Sequence, residues 1–301
     1  MKISAIIIVK NEEAHIKEAL ESLSFADEII VVDDSSTDKT VSIAKRFTSK
    51  IYNFKGEGYV EPLREFAISK TKHDWVFLLD ADERVPDSLV QNLKTISEDV
   101  SAVLIPRKNI IFASWIQHAG WWPDYTVRFF RKDRVKWSDR IHSQPDVRGE
   151  KVQLNPTEEN ALVHYNYTTI TQFIEKMNRY TTFQAQTLID EQYTFVWRDL
   201  IIKPNNEFLS RFFAQEGFKE GLHGLVLSCL MSFYILVVYL KVWEQEGFKK
   251  VEDKSFLSNV FETSKTTQKD SVYWFLTTLH SVTVNPLQKA KYRLLKKVNG
   301  G

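Results

Sequence analysis

The chain has 301 residues, of which 43% are hydrophobic, enough for one large domain with an appendage or for two domains. Its 40 basic and 39 acidic residues give a formal net charge of +1, which excludes the global positive field of a typical nucleic-acid-binding protein. The single cysteine, Cys229, excludes an internal disulfide and a thiolate metal cluster, so a reducing compartment is allowed.

The N-terminal part predicts alternating strands and helices. Residues 3–9 are rich in β-branched side chains, and Lys10 with two following acids stands where a signal peptide would be cleaved, so we predict a strand there. Apolar residues at helical spacing follow over 16–23, and the pattern repeats with a strand at 28–32 and a short helix over 41–47. Repeated β-α units predict parallel strands joined by right-handed crossovers.

Two further strands complete this predicted sheet. One lies near residues 51–54, and the other is the unbroken apolar run 75–79, which ends in Asp80. The first hundred residues therefore predict an open doubly wound sheet, whose ligands bind beyond the carboxyl ends of its strands. Five polar residues follow those strand ends and are expected to meet in one crevice: Asn11, Asp33, Asp34, Asp80 and Asp82.

Asp80 and Asp82 can point the same way where pleating gives way to a loop. Their oxygens suit Mg²⁺ or Mn²⁺, a hard ion whose remaining ligands would be several waters and a diphosphate. The alternative is that both acids only precede a helix beginning near Pro86, since acidic residues are favourable close to a helix N-terminus. The acid pair alone leaves both interpretations open.

Asp33 and Asp34 also have two interpretations. The run from Asp33 to Asp38 has turn and helix-cap chemistry, whereas beside a metal site the two acids can accept hydrogen bonds from a nucleoside base and its ribose. The chain has no Gly-x-Gly-x-x-Gly after the first strand and no Gly-x-x-x-x-Gly-Lys-Ser/Thr. Both a dinucleotide dehydrogenase and a P-loop NTPase are therefore disfavoured.

The next part of the chain predicts a mixed sheet with basic residues near its end. Three strands are expected, at 102–106, 127–130 and 135–137. Arg128 on one of them and His142 beyond them can balance the charge of a diphosphate, with ordinary solvated surface as the alternative. His164 lies within a strand pattern and is expected to be a satisfied core histidine.

An aromatic loop at 120–125 interrupts these strands. Because a loop bracketed by Gly and Pro is a poor place to bury two indoles, Trp121 and Trp122 are predicted to stack on a sugar ring; a core position is the alternative. Asp124 of the same loop is expected among apolar rings. Such surroundings would raise its pKa and suit it to proton abstraction.

From Thr169 onward the chain is predicted to be helical. One amphipathic helix runs through 173–183, and a second begins near Asn206. Residues 222–243 are apolar nearly all round. A buried or interfacial helix is favoured there over a membrane span, because the uncharged run 224–240 falls just short of a comfortable crossing.

Beyond Leu240 the tail carries eleven basic and six acidic residues. This excess favours contact with an anionic membrane surface, and a solvated helical face is the alternative. We therefore predict a catalytic domain over 1–205 and a helical, membrane-associated region over 206–301. The expected location is the cytoplasm, peripheral to the cytoplasmic face of the membrane.

Three motifs together resemble those of the family 2 glycosyltransferases, which have the GT-A fold: IIIVKNE at 6–12, IVVDDSSTD at 30–38 and LDADE at 79–83. Three more are similar to the lipopolysaccharide-core glucosyltransferases of the WaaE/KdtX type: GWWPDY at 120–125, RFFR at 128–131 and YLKVWE at 239–244. The resemblance implies a nucleotide-diphospho-sugar transferase fold, an open mixed sheet flanked by helices with a helical C-terminal extension.

The resemblance also implies roles for individual residues. It implies a nucleotide-sugar donor, expected to be a UDP-sugar, a glycan or glycolipid acceptor, and inversion at the anomeric carbon. The implied donor-binding residues are Asn11, Glu12, Asp33, Asp34, Asp80 and Arg128. Asp82 and Asp80 are expected to bind Mg²⁺ or Mn²⁺, and Trp121 and Trp122 the acceptor. Asp124 is the expected base, with His142 and Asp139 as the other candidates.

Two other protein classes share some of these features. The Asp-x-Asp motif also occurs in Mg²⁺-dependent phosphatases of the haloacid dehalogenase type, but there the acids follow the first strand and Thr or Val stands where this chain has Arg84. A non-catalytic sugar- or lipid-binding module is the third reading, because Ser143 stands where relatives often have Glu. Hydrolysis of a donor in the presence of metal would separate it from an active enzyme.

Overall fold

A computed structural model describes residues 1–55, 61–137 and 145–298. The chain divides into two compact units: a sheet unit of residues 1–115 and 122–166, and a helical unit of residues 116–121 and 167 onward. The domain boundary predicted at residue 205 falls inside the helical unit. His142 and Asp139, two of the candidates for the base, lie outside the described residues.

The sheet unit alternates strands and helices and then continues mainly as strands. Its elements are β1 (Ile3–Val9), α1 (Ile16–Ser22), β2 (Glu28–Asp33), α2 (Thr40–Ala44), β3 (Ile51–Asn53), α3 (Glu61–Ser69), β4 (Trp75–Asp80), β5 (Glu83–Arg84), α4 (Asp87–Leu93), β6 (Val100–Ile111), β7 (Ser114–Trp115), β8 (Asp124–Arg131), β9 (Val135–Lys136), β10 (Asp146–Val147), β11 (Glu150–Gln153) and β12 (Leu162–Tyr167), with a 3₁₀ turn at Glu158–Asn160.

The main sheet is open and mixed. Its strand order is β3-β2-β1-β4-β8-β6-β12-β5, with β7 and β11 paired to β6. The β1, β2, β3 and β4 strands are parallel, whereas β8 runs antiparallel to both β4 and β6. Helices flank the sheet, and a helical extension follows it, so the predicted fold class is confirmed.

Alternate residues of β1 pack into the two hydrophobic cores, one on each face of the sheet. Ile3, Ala5 and Ile7 pack in the core that includes residues of α1 and α4, while Ile6 belongs to the core that includes residues of α3. A strand covered on both faces has no polar side, which is why β1 and β4 are nearly continuous apolar runs. Each fully buried large apolar side chain contributes roughly 1.5–3 kcal/mol.

Up to residue 298, where the described part of the chain ends, the helical unit contains five α-helices. They are α5 (Ile170–Asp190), α6 (Asp199–Leu209), α7 (Leu222–Gln245), α8 (Phe256–Val282) and α9 (Pro286–Val298); a π-helical turn at Ser210–Ala214 and a 3₁₀ turn at Gly217–Glu220 lie between α6 and α7.

The start of α6 differs from the prediction. We expected a helix beginning near Asn206, but α6 begins at Asp199 and contains Pro204, a residue that local propensity disfavours inside a helix. The carbonyl of Pro204 accepts a hydrogen bond from the Ser232 hydroxyl of α7 at 2.8 Å. Tertiary contacts therefore stabilise a helix that local propensity alone disfavours.

The segment 116–121 is anchored to the turns before α7. Glu220 accepts hydrogen bonds from the Gln117 backbone at 3.0 Å and contacts His118 Nδ1 at 2.5 Å. Gly224 is required at the start of α7, because a Cβ there would lie 1.8 Å from the carbonyl oxygen of Gly217.

Among the residues that the structure describes, α7 alone is long and apolar enough to cross a membrane, by length and composition. We predicted a buried or interfacial helix here rather than a membrane span, and that stays a prediction.

Candidate functional site

Three strand ends bring the predicted acidic residues to one edge of the sheet. The β1 strand lies between β2 and β4, with Val9 paired to Asp33 and Ile8 paired to Asp80. Asp33 and Asp80 thus lie on either side of one intervening strand, two strand spacings or about 10 Å apart. The turns that we expected to meet in one crevice are neighbours.

The loops that follow β1 and β2 are tied together by hydrogen bonds. The Asn11 backbone donates to the Ser36 hydroxyl at 2.9 Å, and the Asn11 side-chain oxygen accepts from the Thr37 backbone at 2.8 Å. The Glu12 backbone donates to the Thr40 hydroxyl at 2.7 Å. These contacts hold Asn11 and Glu12 beside the two acids that follow β2.

Asp33 and Asp34 both have partners within this pair of loops. Both are buried; the Asp33 carboxylate accepts from the Ser36 backbone at 3.2 Å, and Asp34 lies 2.9 Å from the Lys10 ammonium. These contacts are of the turn-forming kind that was one of the two interpretations of the run from Asp33 to Asp38. A role for the two acids in seating a nucleoside stays a prediction.

A buried cation fixes the end of β4. Arg128, which is 2% exposed, donates from one nitrogen to Glu83 at 2.7 Å and to the Asp80 carboxylate. Fully buried Glu83 also accepts from the Asp80 backbone at 3.0 Å. Partial burial opposes the charged form of Asp80, but the guanidinium of Arg128 outweighs this effect and holds the pKa of Asp80 below its ordinary value. Conversely, burial lowers the pKa of Arg128, but the two carboxylates raise it above its ordinary value.

Asp82 is supported by β12. Its carbonyl accepts from the Tyr165 backbone at 2.8 Å, and its carboxylate lies 3.6 Å from His164 Nε2. His164 Nδ1 lies 2.7 Å from the side-chain oxygen of Asn109. Since an amide oxygen only accepts, this contact assigns the ring proton to Nδ1. His164 is therefore a buried, hydrogen-bonded histidine, as predicted, whose second nitrogen is directed to Asp82.

Asp124 stands on β8 opposite Arg107 of β6. The two form an ion pair at 2.6 Å, and the Asn109 amide donates to the same carboxylate oxygen, Oδ2, at 3.1 Å. The expected apolar surroundings of Asp124 are therefore wrong, because a guanidinium and an amide surround it. Within the described ranges its other oxygen, Oδ1, accepts no hydrogen bond, and the side chain is 30% exposed.

Polar contacts therefore link the two ends of the site. Asn109 joins His164 to Asp124, and Arg107, which pairs with Asp124, also lies 3.6 Å from Glu83. Through this network the carboxylate predicted to bind metal and the carboxylate predicted to act as base share one set of supports. A substitution at Arg107 or Asn109 is therefore expected to affect the positions of both carboxylates.

The carboxylates of Asp80 and Asp82 fit a divalent cation that shares a diphosphate. The Asp80 side chain is 41% exposed, and that of Asp82 is partly exposed. Across 1–55, 61–137 and 145–298, no group of three or more His, Cys, Asp or Glu side chains stands close enough to hold a metal alone. That donor set suits Mg²⁺ or Mn²⁺, which binds through one or two carboxylates and completes its shell with water and phosphate.

Arg128 is not where its predicted role requires it. We expected it on the donor diphosphate, but its guanidinium is buried between Asp80 and Glu83. The physical reason is that Glu83, an acid that points into the core, needs a buried counter-charge. The structure therefore makes Arg128 a support of Asp80.

The two predicted acceptor tryptophans belong to different compact units. Trp122, in the sheet unit, is half-buried and packs edge-on against Trp115 at 5.4 Å between ring centres. Trp121, in the helical unit, packs edge-on against Tyr167 at 6.3 Å, with the Arg211 guanidinium 5.6 Å from its ring centre. Acceptor binding by either indole stays a prediction.

Sequence reasoning missed Arg107 and Asn109 as site residues. They alternate along β6, so both point to the same face of a strand that is otherwise largely apolar. Two polar residues at that spacing were the available signal. It was overlooked because β6 was predicted to end at Pro106, whereas it continues to Ile111.

Comparison with known proteins identifies relatives over most of the chain. The family model described as glycosyl transferase family 2 matches residues 4–145. An uncharacterized glycosyltransferase of Rickettsia typhi is 31% identical over 248 residues, which cover 77% of this chain and 83% of that protein. The lipopolysaccharide core biosynthesis glycosyltransferase LpsC of Rhizobium meliloti is 24% identical over 259 residues, which cover 83% of this chain and 94% of LpsC.

Two solved structures are also similar. Glucosyl-3-phosphoglycerate synthase from Mycobacterium tuberculosis, in complex with Mn²⁺ and UDP-glucose, is 26% identical with a TM-score of 0.30; the match covers 36% of this chain and 43% of that enzyme, less than half its length. Staphylococcus aureus TarS, residues 1–349 in complex with UDP, is 17% identical with a TM-score of 0.42, covering 82% of this chain and 92% of that one.

Proposed function

This chain belongs to glycosyl transferase family 2, and we propose that it transfers a sugar, with inversion, from a UDP-sugar to a hydroxyl of a glycan or lipid-linked acceptor. The acceptor class that we propose is lipopolysaccharide core or another cell-envelope glycan. The similarity to LpsC, a lipopolysaccharide core biosynthesis glycosyltransferase, supports that choice.

One observation carries the proposal: acidic turns from sequence-distant strands stand side by side at one edge of the sheet. Val9 pairs with Asp33 and Ile8 with Asp80 across parallel strands. Ligands of open α/β sheets bind beyond the carboxyl ends of such strands. A nucleotide-sugar can therefore meet the acids after β2 at its nucleoside and those after β4 at its diphosphate.

In the proposed mechanism Asp33 and Asp34 seat the nucleoside, with Asn11 and Glu12 beside it. Asp82 and Asp80 would hold a divalent cation, Mg²⁺ or Mn²⁺, which would offset the negative charge that builds on the leaving diphosphate. The buried Arg128 keeps the Asp80 carboxylate ionised and in place. We place it as a positioning residue for the donor site.

Asp124 is the proposed base. Its Oδ2 is held by Arg107 and Asn109, while Oδ1 accepts no hydrogen bond from the described residues and remains available for a proton. The acceptor oxygen forms a bond to the anomeric carbon as the bond from that carbon to the diphosphate breaks. Asp124 takes the hydroxyl proton, and the nucleoside diphosphate leaves with the bonding electrons.

We also propose that the protein works in the cytoplasm at the inner face of the membrane. A lipid-linked acceptor would be presented there, and the apolar α7 helix and the basic tail are compatible with such a location. No nucleic-acid partner is proposed, since the formal net charge of the chain is only +1.

A thermal-shift panel tests the donor part of this proposal. UDP-, GDP- and dTDP-sugars are added to the protein with and without Mn²⁺, and the melting temperature is recorded. Only the correct donor should stabilise the fold, by mass action, and the shift should require Mn²⁺. If no nucleotide-sugar raises the melting temperature under any of these conditions, the donor proposal is wrong.

A further inference from the structure

The turn that carries Asp80 and Asp82 ends in the two-residue strand β5. Successive residues of a strand face opposite sides. Glu83 is fully buried and accepts hydrogen bonds from Arg128 and from the Asp80 backbone. Arg84, the next residue, reaches in the other direction, toward the loop that follows β1 and the start of α1. The strand therefore ties the acidic turn to two different parts of the sheet unit.

The Arg84 guanidinium contacts protein oxygens on two sides. Its Nη1 donates to the carbonyls of Ala81 and Glu83, each at 2.8 Å. Its Nη2 donates to the carbonyl of His15 at 3.0 Å and lies 3.6 Å from the Glu18 carboxylate. The side chain is only 17% exposed. Because both terminal nitrogens already bind protein oxygens, Arg84 supports the turn rather than contacting a ligand.

His15 belongs to the loop that contains two of the predicted donor-binding residues, Asn11 and Glu12. Its backbone N–H donates to the Glu12 carbonyl at 2.9 Å, and its Nδ1 lies 2.9 Å from the Glu12 carboxylate. Arg84 therefore connects the turn of the predicted metal ligands directly to the loop that we propose lies beside the nucleoside.

Strand pairing does not by itself fix the spacing of these two segments. The register of β1 with β4 ends at Ile8 opposite Asp80, and both Glu12 and Asp82 lie beyond it. A nucleoside diphosphate has to reach both segments at once, and a site that becomes ordered only on binding loses affinity. A side chain that joins the two segments before the ligand arrives reduces this loss.

Arginine suits this position for a geometric reason. Its guanidinium is a planar fork whose nitrogens donate in different directions, whereas lysine has a single ammonium. Arg84 uses one nitrogen for the acidic turn and the other for His15. A lysine would keep the charge but has no second nitrogen with which to reach the other segment.

We propose that Arg84 is a positioning residue of the donor site, which holds the turn of Asp80 and Asp82 at a fixed spacing from the loop of Asn11 and Glu12. The inference rests on the proposed function and deepens it. Arg84 should control how much a divalent cation strengthens the binding of a nucleoside diphosphate, because the predicted cation ligands lie on the turn that it supports. The loops after β1 and β2 keep their own hydrogen bonds, so binding without the cation should change little.

Calorimetric titration of the full chain with UDP, with and without Mn²⁺, tests the proposal. Arg84→Met should weaken binding in the presence of Mn²⁺ at least about tenfold, and binding without Mn²⁺ should stay within about threefold, since the nucleoside end keeps its hydrogen bonds. Arg84→Lys should weaken the Mn²⁺-dependent binding at least about fivefold, because it lacks the fork. A merely structural role would lower the melting temperature and the fraction of protein that binds, without this selective loss.

Arg131→Met is the matched control. Arg131 also donates to a backbone carbonyl, that of Glu98 at 3.2 Å, and its side chain is 29% exposed. It stands opposite Trp75, at the other end of β4 from Asp80. The variant therefore removes the same charge and the same type of contact from the same unit. It should leave UDP binding within about threefold under both conditions, because charges so far apart are screened.

Three results would overturn the proposal. Arg84→Met binds UDP with Mn²⁺ as tightly as the wild type, Arg84→Lys recovers full binding and so shows that charge alone matters, or Arg131→Met loses as much as Arg84→Met. The melting temperature without ligand checks that each variant folds, and Arg84→Lys, the milder change, carries the test if Arg84→Met does not fold.

The same titration separates this inference from the proposed function. If the wild type itself binds UDP no better with Mn²⁺ than without it, the proposed donor site is wrong and the role of Arg84 is wrong with it. If the wild type shows Mn²⁺-dependent binding and Arg84→Met keeps it, only the positioning role is refuted.

Discussion

The sheet edge and helix α9 each carry several charged residues, but the two regions arrange their charges in opposite ways. At the sheet edge the charges are paired: the buried Arg128 lies between Glu83 and Asp80, and Arg107 pairs with Asp124. On α9, five cations stand without a carboxylate partner among the described residues. Internal pairing fixes carboxylate positions, as a reacting site requires, whereas unpaired surface cations remain available to a partner.

The largest expected effect is loss of transfer in Asp82→Ala. We expect turnover to fall by more than about a thousandfold, because the variant loses a carboxylate that we propose binds the divalent cation beside the leaving group. The measurement is sugar transfer or donor hydrolysis with Mn²⁺ at saturating donor. The melting temperature without ligand should stay near that of the wild type. Retained turnover would show that this carboxylate has no role in the reaction, and the paired charges at the sheet edge would then not mark a reacting site.

Asp124→Asn should be the next most severe change. It keeps the hydrogen bond partners in place but removes the proton acceptor, and a general base contributes roughly 10²- to 10⁴-fold. We expect kcat to fall by that range with donor affinity unchanged. Asp133→Asn, an exposed acid in the turn after β8, is the matched control and should retain full activity. If donor affinity fell instead, Asp124 would belong to the donor site.

Arg128→Met tests the buried ion pair between Arg128 and Glu83. It leaves Glu83, which is fully buried, without its counter-charge, and breaking such a pair costs about 3–5 kcal/mol. Urea unfolding should show this loss, and metal-dependent donor binding should weaken as Asp80 loses its support. The double variant Arg128→Met with Glu83→Gln should recover part of the stability. A near-neutral single variant would contradict the assignment of Arg128 as a buried support.

The smallest expected effect is on the free energy of unfolding at acidic pH. It comes from Glu28, a buried carboxylate at the opposite end of β2 from Asp33. Burial opposes its charged form, but hydrogen bonds from Lys50, Ser4 and the Lys72 backbone outweigh burial and lower its pKa to about 2. Since the folded pKa lies below the unfolded value, Glu28 stabilises the fold above about pH 4.5, and this is lost as pH falls toward 2.

We expect this contribution to be about 1–2 kcal/mol, because Lys50 is half exposed and its charge is screened. Urea unfolding at neutral and acidic pH measures it, with Glu28→Gln as the variant that should lose the pH dependence. An unchanged slope of stability against pH in that variant would assign the acid sensitivity to other carboxylates.

The sequence predicted the parallel half of the sheet well because its local signals agree. The observed β1 has the predicted bounds, and Asp33 and Asp80 end β2 and β4 at the edge where we expected ligands. Burial on both faces produces unbroken apolar runs, and the acids that end them cannot continue into a core.

The sequence could not predict which polar residues would be buried together. Glu83, Arg128 and Asn109 come from β5, β8 and β6, and their contacts depend on a strand order that crosses the sheet. Nor could it show that Leu287, Leu294 and Val298 of α9 are exposed, since the same spacing in most helices marks a core face. Such facts depend on tertiary structure and become visible only in three dimensions.

The most direct test of the paired sheet edge as a donor site is calorimetric titration of the donor identified by the thermal-shift panel. It is run with and without Mn²⁺ on the wild type, on Asp82→Asn and on Asp87→Asn, an exposed acid in the first turn of α4. We predict Mn²⁺-dependent binding for the wild type and Asp87→Asn, and at least tenfold weaker binding for Asp82→Asn. Equal binding by all three proteins, or binding indifferent to Mn²⁺, would contradict the account.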